Sequence, residues 1–198
     1  MRAPLLACLC FAVAGCGHAA GPAAMPPPLD ADYPPGPYGV VAGSVIADLV
    51  FAGKSATTAQ GYAALPLVPL SLGSLRGGGT RFIVVESGAR WCSNCNSDQP
   101  AVRQLEHDYA SKGVVVLDVL IEGGLGVPAT ELDISRWAET HQLSGPIAID
   151  AQLVLAPYVA SYPTYFVLRA ATMQIERISV APLAAAPLGP LLDELLAH

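Results

Sequence analysis

The stretch TRFIVVESGARWCSNCNSDQP, Thr80 to Pro100, is where the fold can be read. Thr80 to Ser87 is a short apolar run rich in β-branched residues, the pattern of a strand buried on both faces of a sheet. It runs straight into Cys92 and Cys95, which stand behind Trp91 with Ser93 and Asn94 between them. A pair at this spacing is open to three readings: half of a zinc site, a structural staple or a redox couple.

The rest of the chain narrows these readings. Five cysteines are encoded. Cys8 and Cys10 fall in an N-terminal targeting pattern, with Arg2 as the positive region and Ala3 to Ala14 as a short apolar region. That pattern ends in VAGC, Val13 to Cys16, which resembles the lipobox of bacterial lipoproteins. The resemblance implies a signal peptide over 1–15, cleavage before Cys16, and lipid on its sulfur and new amino group. A plain secretory signal is the alternative. Gly17 follows the cysteine where an aspartate would resemble an inner-membrane retention signal, which favours the outer membrane. Residues 16–38 are rich in Pro, Ala and Gly and have few large apolar side chains, so they read as a semi-stiff tether with a solvated His18. The domain proper is expected over 39–198.

Only Cys92 and Cys95 then remain in the mature domain. A structural zinc site needs more soft ligands at regular spacing. His107, His141 and His198 show no such spacing, and no metal is expected. A staple closing so short a loop removes little chain entropy. An exported pair without other cysteine partners reads best as a redox couple.

Composition excludes other classes. Apolar residues make up 53% and charged residues 13% of the chain. A membrane-spanning helix needs roughly 20 unbroken apolar residues. The longest internal candidate, Ala63 to Leu75, is broken by Pro66, Pro69 and Gly73, so a polytopic membrane protein is excluded. The net charge of −6, without a basic block, argues against nucleic-acid binding.

Periodicity supplies the remaining elements. Ser44 to Gly53 reads as an early strand and Leu65 to Leu75 as a short strand or turn. Behind Pro100, Val102, Leu105 and Tyr109 mark an amphipathic helix that stops at Lys112-Gly113, with His107 on its polar side. Val114 to Ile121 is a buried strand whose only charge is Asp118. EGGLGVP is a loop, and Thr130 to Leu143 a helix with Trp137 in the core. Gly145 to Asp150, Ser161 to Leu168 and Ile175 to Val180 read as strands, and Leu188 to Leu196 as a closing helix. Strands separated by helices imply parallel pairing and right-handed crossovers, and the last two strands an antiparallel hairpin. The expected class is α/β, a mixed sheet flanked by helices.

A buried strand, then Trp-Cys-x-x-Cys opening a helix, then a distant Tyr162-Pro163-Thr164 entering a strand, resembles the thioredoxin superfamily. The stretch Thr130 to Leu143, as a helical insertion, looks closer to exported, membrane-tethered thiol-disulfide oxidoreductases of the TlpA/ResA type. The resemblance covers roughly Val40 to Leu196 and is strongest from Phe82 to Leu168. It implies a thioredoxin-like fold with an N-terminal extension, protein disulfide or dithiol substrates, a membrane electron donor or acceptor, and no cofactor beyond the Cys92–Cys95 disulfide.

Elementary chemistry agrees with these roles. A cysteine at a helix N-terminus meets unpaired N–H groups and the positive end of the dipole, which favour thiolate. Thiolate is the attacking species in thiol–disulfide exchange. Cys92 is therefore the expected nucleophile, exposed and helped by Arg90, and Cys95 the resolving cysteine. The resemblance makes Glu86 a buried acid that takes the proton of the resolving cysteine, and Asp98, on the helix face of Cys95, the acid the ResA-like proteins place there. Both are candidates for a proton relay. It also implies that Trp91, Tyr162, a cis Pro163 and Thr164 flank bound substrate, and that Pro100 kinks the helix.

The chain departs from thioredoxins in Ser93-Asn94 between the cysteines, in Glu for Asp at Glu86, and in lacking the lysine of the next strand. Two other functions remain open. A peroxidase is one, although Ala89 stands where peroxiredoxins carry Thr. A copper chaperone or binding module is the other, although no partner histidine is evident.

Overall fold

A computed structural model of the protein describes residues 30, 32–56, 61–180 and 185–198. The expected signal peptide, Cys16, His18 and most of the expected tether lie outside them.

The chain builds β1 (Val50–Lys54), β2 (Val68–Ser71) and β3 (Phe82–Ala89), then α1 (Ser93–Tyr109), β4 (Val114–Gly124) and β5 (Val127–Pro128). It continues with α2 (Glu131–His141), β6 (Ile147–Ile149), β7 (Thr164–Arg169), β8 (Gln174–Val180) and α3 (Leu188–Leu196). The early strand is shorter than expected, because only Val50 onward pairs with β2 and β6. The expected loop EGGLGVP instead extends β4 and turns back as β5, with Glu122 opposite Pro128 and Gly124 opposite Val127.

Among the described residues these strands form one sheet in the order β2-β1-β6-β4-β3-β7-β8, with β5 on the end of β4. β3, β4 and β6 are parallel, while β7 and β8 form the expected antiparallel hairpin. β3 is central and every one of its residues is buried, which is what its apolar run demands.

Alternation along β3 makes two cores. Phe82 and Val84 face a cluster with Val102 and Leu105 of α1, Ile134 and Trp137 of α2, and Leu188 and Leu192 of α3. Ile83 and Val85 face the other way, toward Leu117, Val119, Phe166 and Leu168. All three helices thus cover one face. The opposite face is covered by chain before β1 and by the segment leading into β7, through Tyr33, Ile46, Leu49 and Leu155.

Tyr33 corrects the tether boundary. It lies within the stretch 16–38 expected to stay outside a core, yet it is buried and its hydroxyl donates to the Ile46 carbonyl at 2.9 Å. One aromatic ring with a reachable acceptor suffices to dock a segment that is otherwise poor in apolar side chains.

The helix ends follow local chemistry. Thr130 caps α2 in a reciprocal box with Asp133. α1 is one continuous run from Ser93 to Tyr109 and contains Pro100. No helix among the described residues is long and apolar enough to cross a membrane.

Candidate functional site

β3 delivers the chain to the cysteines. Its pairing with β4 shifts register between Gly88 and Ala89, which bends the strand end. A tight turn follows, with Cys92 N–H donating to Ala89 O at 3.0 Å and Arg90 N–H to Glu122 O at 2.9 Å. Asn96 secures that turn by donating to the carbonyls of Arg90 at 3.1 Å and Cys92 at 2.8 Å.

Cys92 is the N-cap of α1, in extended backbone, and Sγ accepts the Cys95 N–H at 3.1 Å. The helix terminus therefore spends one of its free donors on the sulfur, as thiolate stabilisation requires. Cys92 and Cys95 form a disulfide with Cα atoms 5.2 Å apart.

Cys92 is only 6% exposed in this disulfide form, which corrects the expectation of an open nucleophile. Arg90 is corrected as well. Its Nε lies 3.2 Å from both Asp133 Oδ1 and the Gly123 carbonyl, and so serves the α2 end rather than the sulfur.

The exposed rim is aromatic. Trp91 is 46% exposed and its Nε1 donates to Glu122 Oε2 at 2.7 Å. Its ring meets the Tyr162 ring edge-on, with centroids 6.3 Å apart. The Tyr162–Pro163 peptide is cis. Beside it runs a groove of about 220 Å³ lined by Ile121, Leu153, Ala156, Val159 and Tyr162. Thr164 does not line this rim. It is buried, its hydroxyl donates to Ser161 O at 2.6 Å, and its carbonyl accepts from Ser87 Oγ at 3.1 Å, so it shapes the loop from within.

Beneath the disulfide the core turns polar. Glu86 and Asp98 are both buried, neither of them turned to solvent. Gln99 Nε2 donates to both Glu86 oxygens at 3.0 Å. Asp98 Oδ2 accepts the Ala185 N–H at 3.3 Å, tying α1 to the chain before α3. Gly88 lies between the two groups: a Cβ on it would stand 3.6 Å from both Cys95 Sγ and Glu86 Oε1.

In register with Glu86 lie Asp118 on β4 and Tyr165 on β7. All three are buried, and Trp137 Nε1 donates to Asp118 Oδ2 at 2.9 Å. Burial, with Asp118 and Asp98 nearby, holds the Glu86 carboxyl well above the usual carboxylate range. Burial also raises Asp118, to about 7. Burial and the acids around it push the Tyr165 phenol well up, so it stays protonated.

Gln99, Tyr165, Glu122 and Asn96 belong to this site and carried no motif. Gln99 was open to detection, four residues after Cys95 and hence on its helix face. The others depend on register and turn geometry.

No family model matches the chain. It is 32% identical over 87 residues to the thioredoxin-like protein YneN of Bacillus subtilis (strain 168), a match covering 43% of this chain and 49% of that protein. The match thus spans about half the length of the curated relative. Among solved structures, a putative thiol:disulfide interchange protein DsbE from Chlorobium tepidum superposes with a TM-score of 0.60 at 18% identity, covering 80% of this chain and 99% of that one. The peroxidoxin BcpB from Mycobacterium tuberculosis superposes with a TM-score of 0.56 at 15% identity, covering 79% and 94%. At such identities the likeness shows the fold, and that fold is thioredoxin-like, with the mixed sheet anticipated from the sequence.

Proposed function

We propose that this chain, thioredoxin-like in fold, is a thiol-disulfide oxidoreductase that reduces protein disulfides in the bacterial cell envelope. In this reading lipid on Cys16 holds it at the membrane, facing the periplasm or the cell exterior, and a membrane electron donor returns it to the dithiol. The observation that carries the reading is Cys92 Sγ at the start of α1, accepting the Cys95 N–H at 3.1 Å above the buried carboxyl of Glu86.

The reduced form begins with Cys92 as thiolate. It attacks one sulfur of a substrate disulfide, and the other substrate sulfur leaves as thiolate and takes a proton from water. Cys95 then gives its thiol proton to the acids below and attacks Cys92 Sγ. The Cys92–Cys95 bond forms, the mixed disulfide breaks, and the second substrate sulfur leaves and is protonated. Two electrons have passed to the substrate, and a dithiol donor restores the pair by the reverse steps.

Trp91 and Tyr162 make the apolar rim on which a substrate strand lies, and the backbone before Pro163 offers it hydrogen bonds. Glu86 is the proton acceptor of choice, because its Oε1 and Cys95 Sγ both lie 3.6 Å from where a Cβ on Gly88 would stand. Asp98 lies on the same helix one turn further on and holds the Ala185 amide.

Trapping tests the reading. Cys95→Ser in the native envelope is expected to hold substrates as mixed disulfides through Cys92, while Cys92→Ser holds none. Trapping by Cys92→Ser alone reverses the roles, and trapping by neither removes the reading.

The likeness to a peroxidoxin keeps a thiol peroxidase as the second reading. Peroxide consumption faster than that of a free thiol would favour it. Among the described residues no group of three or more His, Cys, Asp and Glu side chains could hold a metal ion.

A further inference from the structure

The buried acids of this chain fall into two kinds. Glu106 accepts backbone N–H groups from Ser144 at 2.7 Å and Gly145 at 3.0 Å. Asp150 accepts them from Val154 at 2.9 Å and Leu155 at 2.8 Å, and Asp48 from Gly73 at 2.7 Å. These carboxylates pin loops, the ordinary use of a buried acid.

Glu86 and Asp118 do not. Among the described residues no backbone N–H reaches either carboxyl; Gln99 serves Glu86 and Trp137 serves Asp118. The two acids are direct partners in the parallel pairing of β3 and β4, so they project from the same face. Among the described residues no cation faces them. The groups around them are Tyr165 of β7, Asp98 and Gln99 of α1, Trp137 of α2, Glu106 of α1, and Tyr62 ahead of β2. Asp118 Oδ1 is buried and receives no donor among the described residues. Two adjacent carboxylates cannot both ionise in so dry a place. A proton on one satisfies the orphan oxygen of the other and removes half the charge.

We propose that Glu86 and Asp118 act as one acid couple holding a single proton between β3 and β4, with Asp118 positioning that proton for exchange with the Cys95 thiol. The inference rests on the exchange reading above and adds to it a second acid that touches neither sulfur nor substrate. In the resolving step the singly protonated couple takes the Cys95 proton and becomes neutral, Cys95 becomes thiolate, and its attack forms the bond to Cys92. In the recharging step the neutral couple returns that proton to Cys95 as the disulfide opens. The rise of Asp118 to about 7 suits a couple that gains and loses its second proton near neutrality.

The test separates the couple from the activity. Infrared titration of the protonated-carboxyl band reports the couple in the oxidised protein, where no exchange occurs. The couple titrates that band in two steps, and Asp118→Asn is expected to leave a single step, about one pH unit or more below the upper one, since the charge opposing ionisation of Glu86 is gone. Trp137→Phe, which takes a donor from the Asp118 carboxylate, is expected to raise the upper step. The pH profile for resolution of a mixed disulfide with glutathione follows the lower step and is expected to move up in Asp118→Asn, because a lone Glu86 takes up its proton at higher pH than the couple takes its second. Opposite shifts from two substitutions on one side chain's surroundings are not a sign of general loosening. An unchanged midpoint in Asp118→Asn would mean that Glu86 holds its proton alone, and overturns the proposal. If Asp118→Asn does not fold, an unmoved midpoint in Trp137→Phe overturns it equally. Trapping by Cys95→Ser with unmoved midpoints keeps the reductase and sinks the couple. Shifted midpoints without any disulfide exchange leave the couple standing and remove its proposed purpose.

Discussion

Two adjacent rows cross the centre of the sheet and face opposite ways. Val85 pairs with Leu117 and Phe166, while Glu86 pairs with Asp118 and Tyr165. All six side chains are buried. The first row is wholly apolar and contributes to stability by removing hydrocarbon from water. The second places two carboxyls and a phenol in the same dry sheet, where burial opposes their ionisation. One step along β3 separates a row that holds the fold from a row that costs stability and faces the disulfide. The difference teaches that a single step in register decides between apolar packing and acid chemistry within one strand.

The comparison breaks most visibly at Phe166. Phe166→Ala is expected to lower stability by about 3–5 kcal/mol in a denaturant titration, yet leave the pH midpoint of mixed-disulfide resolution in place. A moved midpoint would mean that the two rows are not independent.

On the acid row, Glu86→Gln is expected to slow resolution about 10²-fold, the lower range for losing a general base or acid, with stability at neutral pH undiminished. Loss of stability with unchanged rate would make Glu86 a structural residue.

The same row sets a pH slope. Both carboxyls have folded affinities for protons above their unfolded values, so the folded state binds more protons than the unfolded one. Stability is then fully present below the ordinary carboxylate range and is lost as pH rises toward the raised Asp118 value of about 7. Thermal denaturation of Glu86→Gln/Asp118→Asn is expected to lack that decline and to exceed the wild type by a few kcal/mol at neutral pH. An equal slope in both proteins would place the carboxyl charge elsewhere.

Smaller effects sharpen the boundary. Thr130→Ala removes the α2 cap and is expected to cost about 1 kcal/mol without shifting the resolution profile, although α2 carries Trp137. Arg90→Gln breaks a partly exposed pair with Asp133 and is expected to cost below about 0.5 kcal/mol. It should leave the Cys92 thiol acidity unchanged, as read by alkylation rate against pH. A raised Cys92 pKa would return Arg90 to the site.

Much of this was legible in residue order. The buried run before Cys92, the pattern Val102, Leu105, Tyr109, and the strand Val114 to Ile121 needed only periodicity. The pair of cysteines at a helix start is a local feature, and so is the capping box of Thr130. Arg90 was misread because nearness in sequence does not set direction: the turn that opens α1 aims its guanidinium at Asp133 and Gly123. Tyr33 was misread because composition averages over a segment, whereas one ring decides docking.

The sequence by itself determined the order of elements, the central strand, and the place of Cys92 and Cys95 at the head of α1, because these depend on short-range spacing and the helix terminus. Only the tertiary structure decided that Asp118 and Tyr165 stand beside Glu86, that Gly88 lies between that acid and Cys95, and that Thr164 faces inward. Those are consequences of strand register. A one-residue slip of β4 against β3 would have turned Asp118 to the apolar face, and the local pattern of Val114 to Ile121 does not carry that choice.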